Sequence, residues 1–195
     1  MASIWVESLG RNFQAALDFM EAAVRDCTDE LWQANMWEVP GQTAEVRGSD
    51  GNLVTNPAER HDLVQRNGTP WGVAWHALEI LDAKLTGGFV PWETWPPFGG
   101  KGIDDITTLS RPWSRADLLG YTDYCRQRVV DTLKALTDER AATLRGRRAE
   151  PYAAYLMRTQ DHVIEHASQI RQFITAAGVA PGPGSDSRGF YSDQS

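Results

Sequence analysis

Apolar residues recur at helical spacing along four stretches of the chain, and each stretch predicts one long helix. The first predicted helix runs from about Gly10 to Trp37, and its apolar residues are spaced four, three, four, three and four positions apart. They are Phe13, Leu17, Met20, Val24, Cys27 and Leu31. Such a stripe is typical of a helix that buries one face.

The second predicted helix has clear signals at both ends. Thr69 is suited to the N-cap and Pro70 to the first helical position. The helix then runs to Leu85, and Gly87-Gly88 stops it.

The remaining two helices lie in the second half of the chain. The third is predicted to begin near Ser114, with Asp117 placed to complete a variant of the capping box, and to end near Leu136. The fourth is predicted from about Pro151 to the residue before Gly178.

Turn-forming residues dominate the rest of the chain. Residues 39–68 are predicted to form a long loop with a short ordered piece near Pro57–Gln65. Residues 89–113 are irregular and aromatic, and the tail after Pro181 is rich in Gly, Pro and Ser. A faint echo between Thr28-Asp29-Glu30 and Thr137-Asp138-Glu139 suggests a repeated helix pair.

Four helices with one apolar face each bury those faces most simply as an all-α four-helix bundle. The connection between the second and third helices is long enough to run the length of the bundle, which favours a crossover connection. We therefore expect a single domain over residues 1–180, followed by a tail over residues 181–195.

Composition narrows the function classes. The chain has 195 residues, 42% of them hydrophobic, and a net charge of −7, which argues against a nucleic-acid surface. The basic run 145–148 is interpreted as a solvated turn between helices. No bilayer-spanning apolar run or secretory signal is visible, and Cys27 and Cys125 fit two reduced core residues, so a cytoplasmic location is expected.

Histidines carry the most specific signal. His162 and His166 lie one helical turn apart, which places both imidazoles on one helix face. His76 projects from the apolar stripe of the second helix, whereas His61 lies in a polar run and is expected to be exposed. Alone, His76 would more often be a core residue. Together with the other two, it predicts a three-histidine metal site with an open coordination position.

The segment from His162 to His166 also spells the H-x-x-E-H motif of some zinc proteases. That interpretation needs a further carboxylate ligand downstream, and the only acids there are Asp186 and Asp193 in the Gly/Pro-rich tail. The protease is therefore set aside. Glu165 is rotated about 100° from His166 on the helix, which favours a solvent-facing or interface residue over a catalytic base.

Other side chains near the three histidines are candidates for catalysis or for the walls of a substrate pocket. Glu79 could hydrogen-bond a ligand imidazole, and Gln169 could hydrogen-bond a metal-bound water. For the pocket walls, packing in the core is the alternative in each case. The wall candidates are Trp75, Trp92, Trp95 and Tyr155.

Two segments carry a family resemblance. Residues 71–79, with one histidine, and residues 161–170, with His-x-x-x-His, resemble the DinB-like superfamily of bacterial metal-binding four-helix bundles. By that resemblance His76, His162 and His166 match the family's metal triad, and zinc, nickel or iron would be the metal. The resemblance also implies a homodimer. Some relatives use a low-molecular-weight thiol for transfer or isomerisation, and others are regarded as hydrolases.

Three function hypotheses stay open at this point. The first is an enzyme acting on a small molecule, because an open three-histidine metal site can activate water or bind the thiolate of a cosubstrate. The second is a metal- or small-ligand-binding protein without turnover. The third is a bundle whose histidines pack without any metal.

Overall fold

The computed structural model describes residues 4–40, 45–88 and 92–182, which form a mostly helical structure. Part of each predicted loop and most of the predicted tail (residues 41–44, 89–91 and 183–195) lie outside the described residues. The helices are α1 (Ile4–Asp26), α2 (Asp29–Trp32), α3 (Pro57–Gln65), α4 (Pro70–Leu85), α5 (Arg115–Lys134), α6 (Asp138–Ala142) and α7 (Tyr152–Ala176). Short 3-10 helices span Arg66–Gly68, Pro96–Phe98 and Ile103–Thr108. None of the helices in these ranges is long and apolar enough to cross a membrane.

The four long helices pack side by side around one hydrophobic core. Helix α1 packs on α5 and α7, and α4 packs on the same two helices from the other side. The core is made by the predicted stripes: Phe13 and Leu17 of α1, Leu118 of α5 and Val163 of α7 are all fully buried. The contact between α4 and α7 matters most here, because these two helices carry His76, His162 and His166.

The capping signals are confirmed. Thr69 caps α4 by accepting a hydrogen bond from the backbone N–H of Gly72, and Pro70 is the first helical residue. At the start of α5, Ser114 and Asp117 form the reciprocal capping box. Such caps can be predicted from nearby residues because the backbone N–H groups of the first helical turn have no partner within the helix and need a nearby acceptor.

The bounds predicted for the first helix were wrong at both ends. Helix α1 begins at Ile4, because Val6 and Leu9 extend the buried stripe toward the N-terminus. It ends at Asp26 instead of continuing to Trp37. The guanidinium of Arg115 donates a hydrogen bond to the carbonyl of Cys27 and forms an ion pair with Asp29. A side chain of α5 therefore satisfies the carbonyl that follows the last residue of α1.

Both copies of the Thr-Asp-Glu motif precede a short helix, although only Thr137 caps its helix with a side-chain hydrogen bond. Each copy begins a short helix directly after a long one: α2 follows α1, and α6 follows α5. The basic run after α6 forms the turn of a small hairpin, in which β1 (Leu144–Arg145) pairs antiparallel with β2 (Glu150–Pro151). This hairpin was not predicted, although the basic run was correctly expected to be a turn.

Candidate metal centre and its two cavities

The three predicted histidines meet where α4 packs on α7. One ring nitrogen from each of His76, His162 and His166 lies within 4.8 Å of the others. The Nε2 atoms of His162 and His166 are 3.1 Å apart, and all three residues are partly buried. His61 lies elsewhere and is exposed, as predicted.

The donor set fits a divalent metal ion. Zinc binds imidazole nitrogen at about 2.0–2.1 Å, so two nitrogens at a tetrahedral angle would be about 3.3 Å apart. The Nε2 separation of 3.1 Å between His162 and His166 is close to that value. Three nitrogens that converge in this way could bind a metal ion and leave a position open for another ligand.

The environment keeps two of the imidazoles neutral at physiological pH. Burial, followed by the nearby His166, lowers the pKa of His76 to about 4. Burial, followed by His166 and His76, lowers the pKa of His162 to about 3. A neutral imidazole has a free lone pair, which is the form that binds metals. These rings therefore need not lose a proton to accept an ion at neutral pH.

Gln169 orients one of the rings. Its Oε1 lies 2.7 Å from Nδ1 of His166, so it accepts a hydrogen bond from the Nδ1–H group and leaves the lone pair on Nε2, which faces His162. Such a partner on the other ring nitrogen is typical of metal-binding histidines. The Nδ1 of His162 is buried and has no hydrogen-bond partner among the described residues. That ring instead contacts the other two histidines, with its Nε2 3.1 Å from the Nε2 of His166.

A cavity of about 810 Å³ opens beside His76 and is acidic. Residues 92–105 of the aromatic segment, which include the start of the 3-10 helix Ile103–Thr108, form most of its wall. Its charged lining consists of Glu79, Glu93, Asp104 and Asp105. Trp92 also lines it and is held by a hydrogen bond from its Nε1 to the buried carboxylate of Asp82.

Glu79 is the one buried acid of this cavity, with 4% of its surface exposed. Burial raises its pKa to about 7, although a hydrogen bond from the backbone N–H of Ile103 opposes that rise. This hydrogen bond engages Oε2. The other oxygen, Oε1, lies 2.9 Å from the position that a Cβ atom would occupy at Gly102. Glu79 makes no hydrogen bond to the three histidines in the described parts of the chain, so the predicted contact with a ligand imidazole is not observed.

A second cavity, of about 750 Å³, opens beside His162 and is basic. The end of α4, the hairpin turn and the first half of α7 form its wall. Its cationic lining consists of Lys84, Arg147, Arg148 and Arg158. Tyr155 and the exposed Glu165 also line it, so Glu165 faces solvent as expected.

The predicted tryptophan walls separate into two groups. Trp92 lines the acidic cavity, but Trp75 and Trp95 line neither of the two cavities. Trp75, which is only 1% exposed, packs edge-on against Phe98 and Trp113. Trp95 stacks on Tyr121 at 5.3 Å between ring centroids. In the structure, these two tryptophans form an aromatic core that holds the 92–113 segment against α4 and α5.

Sequence reasoning missed most of the charged lining. Asp104 and Asp105 lie in a short 3-10 helix that has no strong periodic signal, and their position opposite His76 depends on how the loop folds. Arg147 and Arg148 were noticed, but were interpreted only as a solvated turn. Their approach to His162 depends on the hairpin, which the sequence pattern does not predict.

Comparisons with models of protein families, with curated proteins and with solved structures give no match. The functional conclusion therefore rests on the site.

Proposed function

We propose that this chain is a metal-dependent enzyme of the DinB-like type, a four-helix bundle with a crossover connection between α4 and α5. His76, His162 and His166 would hold one divalent ion, with zinc or nickel ahead of iron. The observation that supports this most strongly is the convergence of three ring nitrogens from two helices within 4.8 Å. Without a metal, three partly buried imidazoles would be a costly arrangement.

When bound, a divalent metal at three histidines offers an open position at which water is acidified or a thiolate is bound. The reaction that the surrounding residues support best is hydrolysis of a small molecule. Glu79 lines the same cavity as His76, and its pKa of about 7 suits a group that takes up and returns a proton at neutral pH. Its Oε1 would carry that proton, since Oε2 is engaged by Ile103.

Thiol-dependent transfer is the second candidate, and the basic cavity favours it, because cations beside His162 would attract a thiolate. The thiol would have to come from a cosubstrate. Burial raises the pKa of Cys27 to about 11, and Cys125 is fully buried with its pKa raised as well. Neither cysteine is a thiolate at neutral pH.

Elemental analysis of protein purified without an affinity tag tests the metal site. We expect about one divalent ion per chain, complete loss of that ion in His162→Ala, and full retention in the matched control His61→Ala, which removes an exposed histidine. Absence of metal from the unaltered chain, or its retention in His162→Ala, would contradict the proposal and favour histidines that pack without metal.

Glu79→Gln tests the enzymatic part, because it removes the ionisable group and keeps an oxygen for the N–H of Ile103. We expect this variant to retain its metal and to lose hydrolytic turnover in a screen of small ester and amide substrates. One metal per chain together with no turnover of hydrolytic or thiol-dependent substrates would instead identify a binding protein without catalysis.

A further inference from the structure

The basic cavity concentrates positive charge on a chain whose net charge is −7. Four cations line it against two carboxylates, Asp161 and Glu165. The cations come from three separate parts of the fold: the last turn of α4, the hairpin turn and α7. The fold thus gathers at one cavity a charge opposite to that of the whole molecule.

Three of these cations have no carboxylate partner in the described parts of the chain. Arg147 and Arg148 are exposed and form no ion pair there. Lys84 lies over the ring of Tyr155, 5.3 Å from its centroid, and is not paired with an acid. Burial and the neighbouring Arg158 lower the pKa of Lys84, as expected where positive charges crowd together. Only Arg158 is neutralised, by Glu150.

The remainder of the wall leaves backbone accessible. Gly87, Gly88 and Gly146 line the cavity, all with positive φ. At Gly146 a side chain would begin 3.0 Å from the ring of Tyr155. The guanidinium of Arg145 lies beside Gly87, about 3.5 Å from the position of a Cβ there, and adds positive charge behind the wall.

His162 lines this cavity as well, so a ligand bound among the cations would lie beside the histidine cluster. We propose that the basic cavity is an anion subsite that binds the carboxylate or phosphate group of the small molecule reacting at the histidines. Guanidinium groups bind such groups through two parallel N–H donors, and a lysine ammonium adds a point charge. The identification of the ligand as substrate rests on the proposed function, whereas anion binding itself does not.

Amide chemical shifts of isotope-labelled protein test the subsite directly. The metal-free chain is titrated at neutral pH with inorganic phosphate in one arm and with acetate in the other. We expect saturable shifts at the amides of Gly87, Gly88 and Gly146 in at least one arm, and the tighter of the two anions identifies the favoured group. No saturable shift at these glycines in either arm would overturn the proposal.

A pair of double variants separates the subsite from general attraction of anions. Arg147→Gln with Arg148→Gln is expected to weaken anion binding about fivefold or more, because it removes two of the four cations that line the cavity. The control is Arg11→Gln with Arg111→Gln, which removes the same charge from exposed residues that line neither cavity. Equal weakening in both would show nonspecific attraction and would contradict the proposal.

Cobalt-substituted protein then links the subsite to the metal. Mercaptoethanesulfonate and mercaptoethanol both carry a thiol, but only the first carries an anionic group. We expect the thiolate absorption band of cobalt to saturate at about tenfold lower concentration of the sulfonate, and this advantage to disappear in the Arg147/Arg148 variant.

The possible outcomes distinguish the metal site, thiol-dependent transfer and the anion subsite from one another. Failure to bind cobalt would contradict the metal site, while the phosphate and acetate titrations would still decide the anion subsite. If neither thiol produced the band, thiol-dependent transfer would be contradicted. Equal concentrations for the two thiols would overturn the assignment of the basic cavity to the reacting molecule.

Discussion

The two cavities beside the histidine cluster have similar volumes and opposite charge. The cavity next to His76 is lined by four carboxylates, and the one next to His162 by four cations. They also differ in construction. Glu79 is buried and held by the backbone of Ile103, whereas Arg147 and Arg148 extend from an exposed turn.

This difference suggests two separate tasks. A buried carboxylate that is held by a hydrogen bond has a perturbed pKa and a fixed orientation of its oxygens. Both properties suit proton transfer. Exposed arginines have ordinary mobility and long reach, which suits the capture of an anion from solution. The histidines lie between the two, so a bound molecule could be held on one side and receive or lose a proton on the other.

The largest expected effect lies at the cluster that joins the two cavities. Gln169→Leu removes the acceptor that fixes the ring of His166, and loss of such a partner typically weakens metal affinity about 10- to 100-fold. Competition with a chelator of known affinity measures this. Gln172→Leu, at an exposed position of the same helix, is the control and should leave affinity unchanged. Unchanged affinity in Gln169→Leu would show that Gln169 does not orient a ligand.

A smaller effect is expected from the buried acid of the acidic cavity. The pKa of Glu79 is about 7 in the folded chain and has an ordinary value of 4.5. The folded state therefore keeps a proton that the unfolded chain has already lost, and stability decreases as the pH rises through this window. Because glutamine cannot ionise, Glu79→Gln should be more stable than the unaltered chain by more than about 1 kcal/mol near pH 8 and about equal to it near pH 4.

Denaturant unfolding of metal-free protein at the two pH values measures this difference. Glu93→Gln is the matched control, because Glu93 is an exposed acid of the same cavity. It should not reproduce the gain in stability at the higher pH that is expected of Glu79→Gln. A Glu79→Gln variant that showed no dependence on pH relative to the unaltered chain would mean that Glu79 is not the perturbed acid of this cavity.

The smallest expected effect tests whether the two cavities act independently. Glu93→Gln with Asp104→Asn removes two negative charges from the acidic cavity, and both residues are exposed, so solvent and salt screen them. We expect phosphate affinity to rise less than about twofold, against the fivefold loss expected from the arginine pair. A change as large as that of the arginine pair would mean that overall charge, not the basic cavity, controls anion binding.

The parts of the fold that depend on local physics were predictable. The cap at Thr69 and the capping box at Ser114 follow from residues within four positions of one another, and the short ordered piece predicted near Pro57–Gln65 is helix α3. His76 could be assigned to the interior because its own helix supplies the apolar stripe. The close approach of the three histidines confirms the grouping that this stripe suggested.

Features that depend on distant contacts were not predictable. The end of α1 is set by Arg115, which is 88 positions from the carbonyl that it binds. The burial of Trp75 and Trp95 among other aromatic rings depends on the path of the 92–113 segment. The charged linings of the two cavities likewise depend on how a loop and a hairpin fold. Neither the loop nor the hairpin has a periodic pattern in the sequence that would predict its position.

A crystal structure of the metal-loaded protein, with anomalous scattering recorded at the zinc and nickel edges, tests the central claim most directly. We predict one anomalous peak about 2.0–2.2 Å from a ring nitrogen of each of His76, His162 and His166. Its remaining coordination should be open to solvent or to a bound molecule. An anomalous peak elsewhere, or none at the three histidines after loading with metal, would contradict the account.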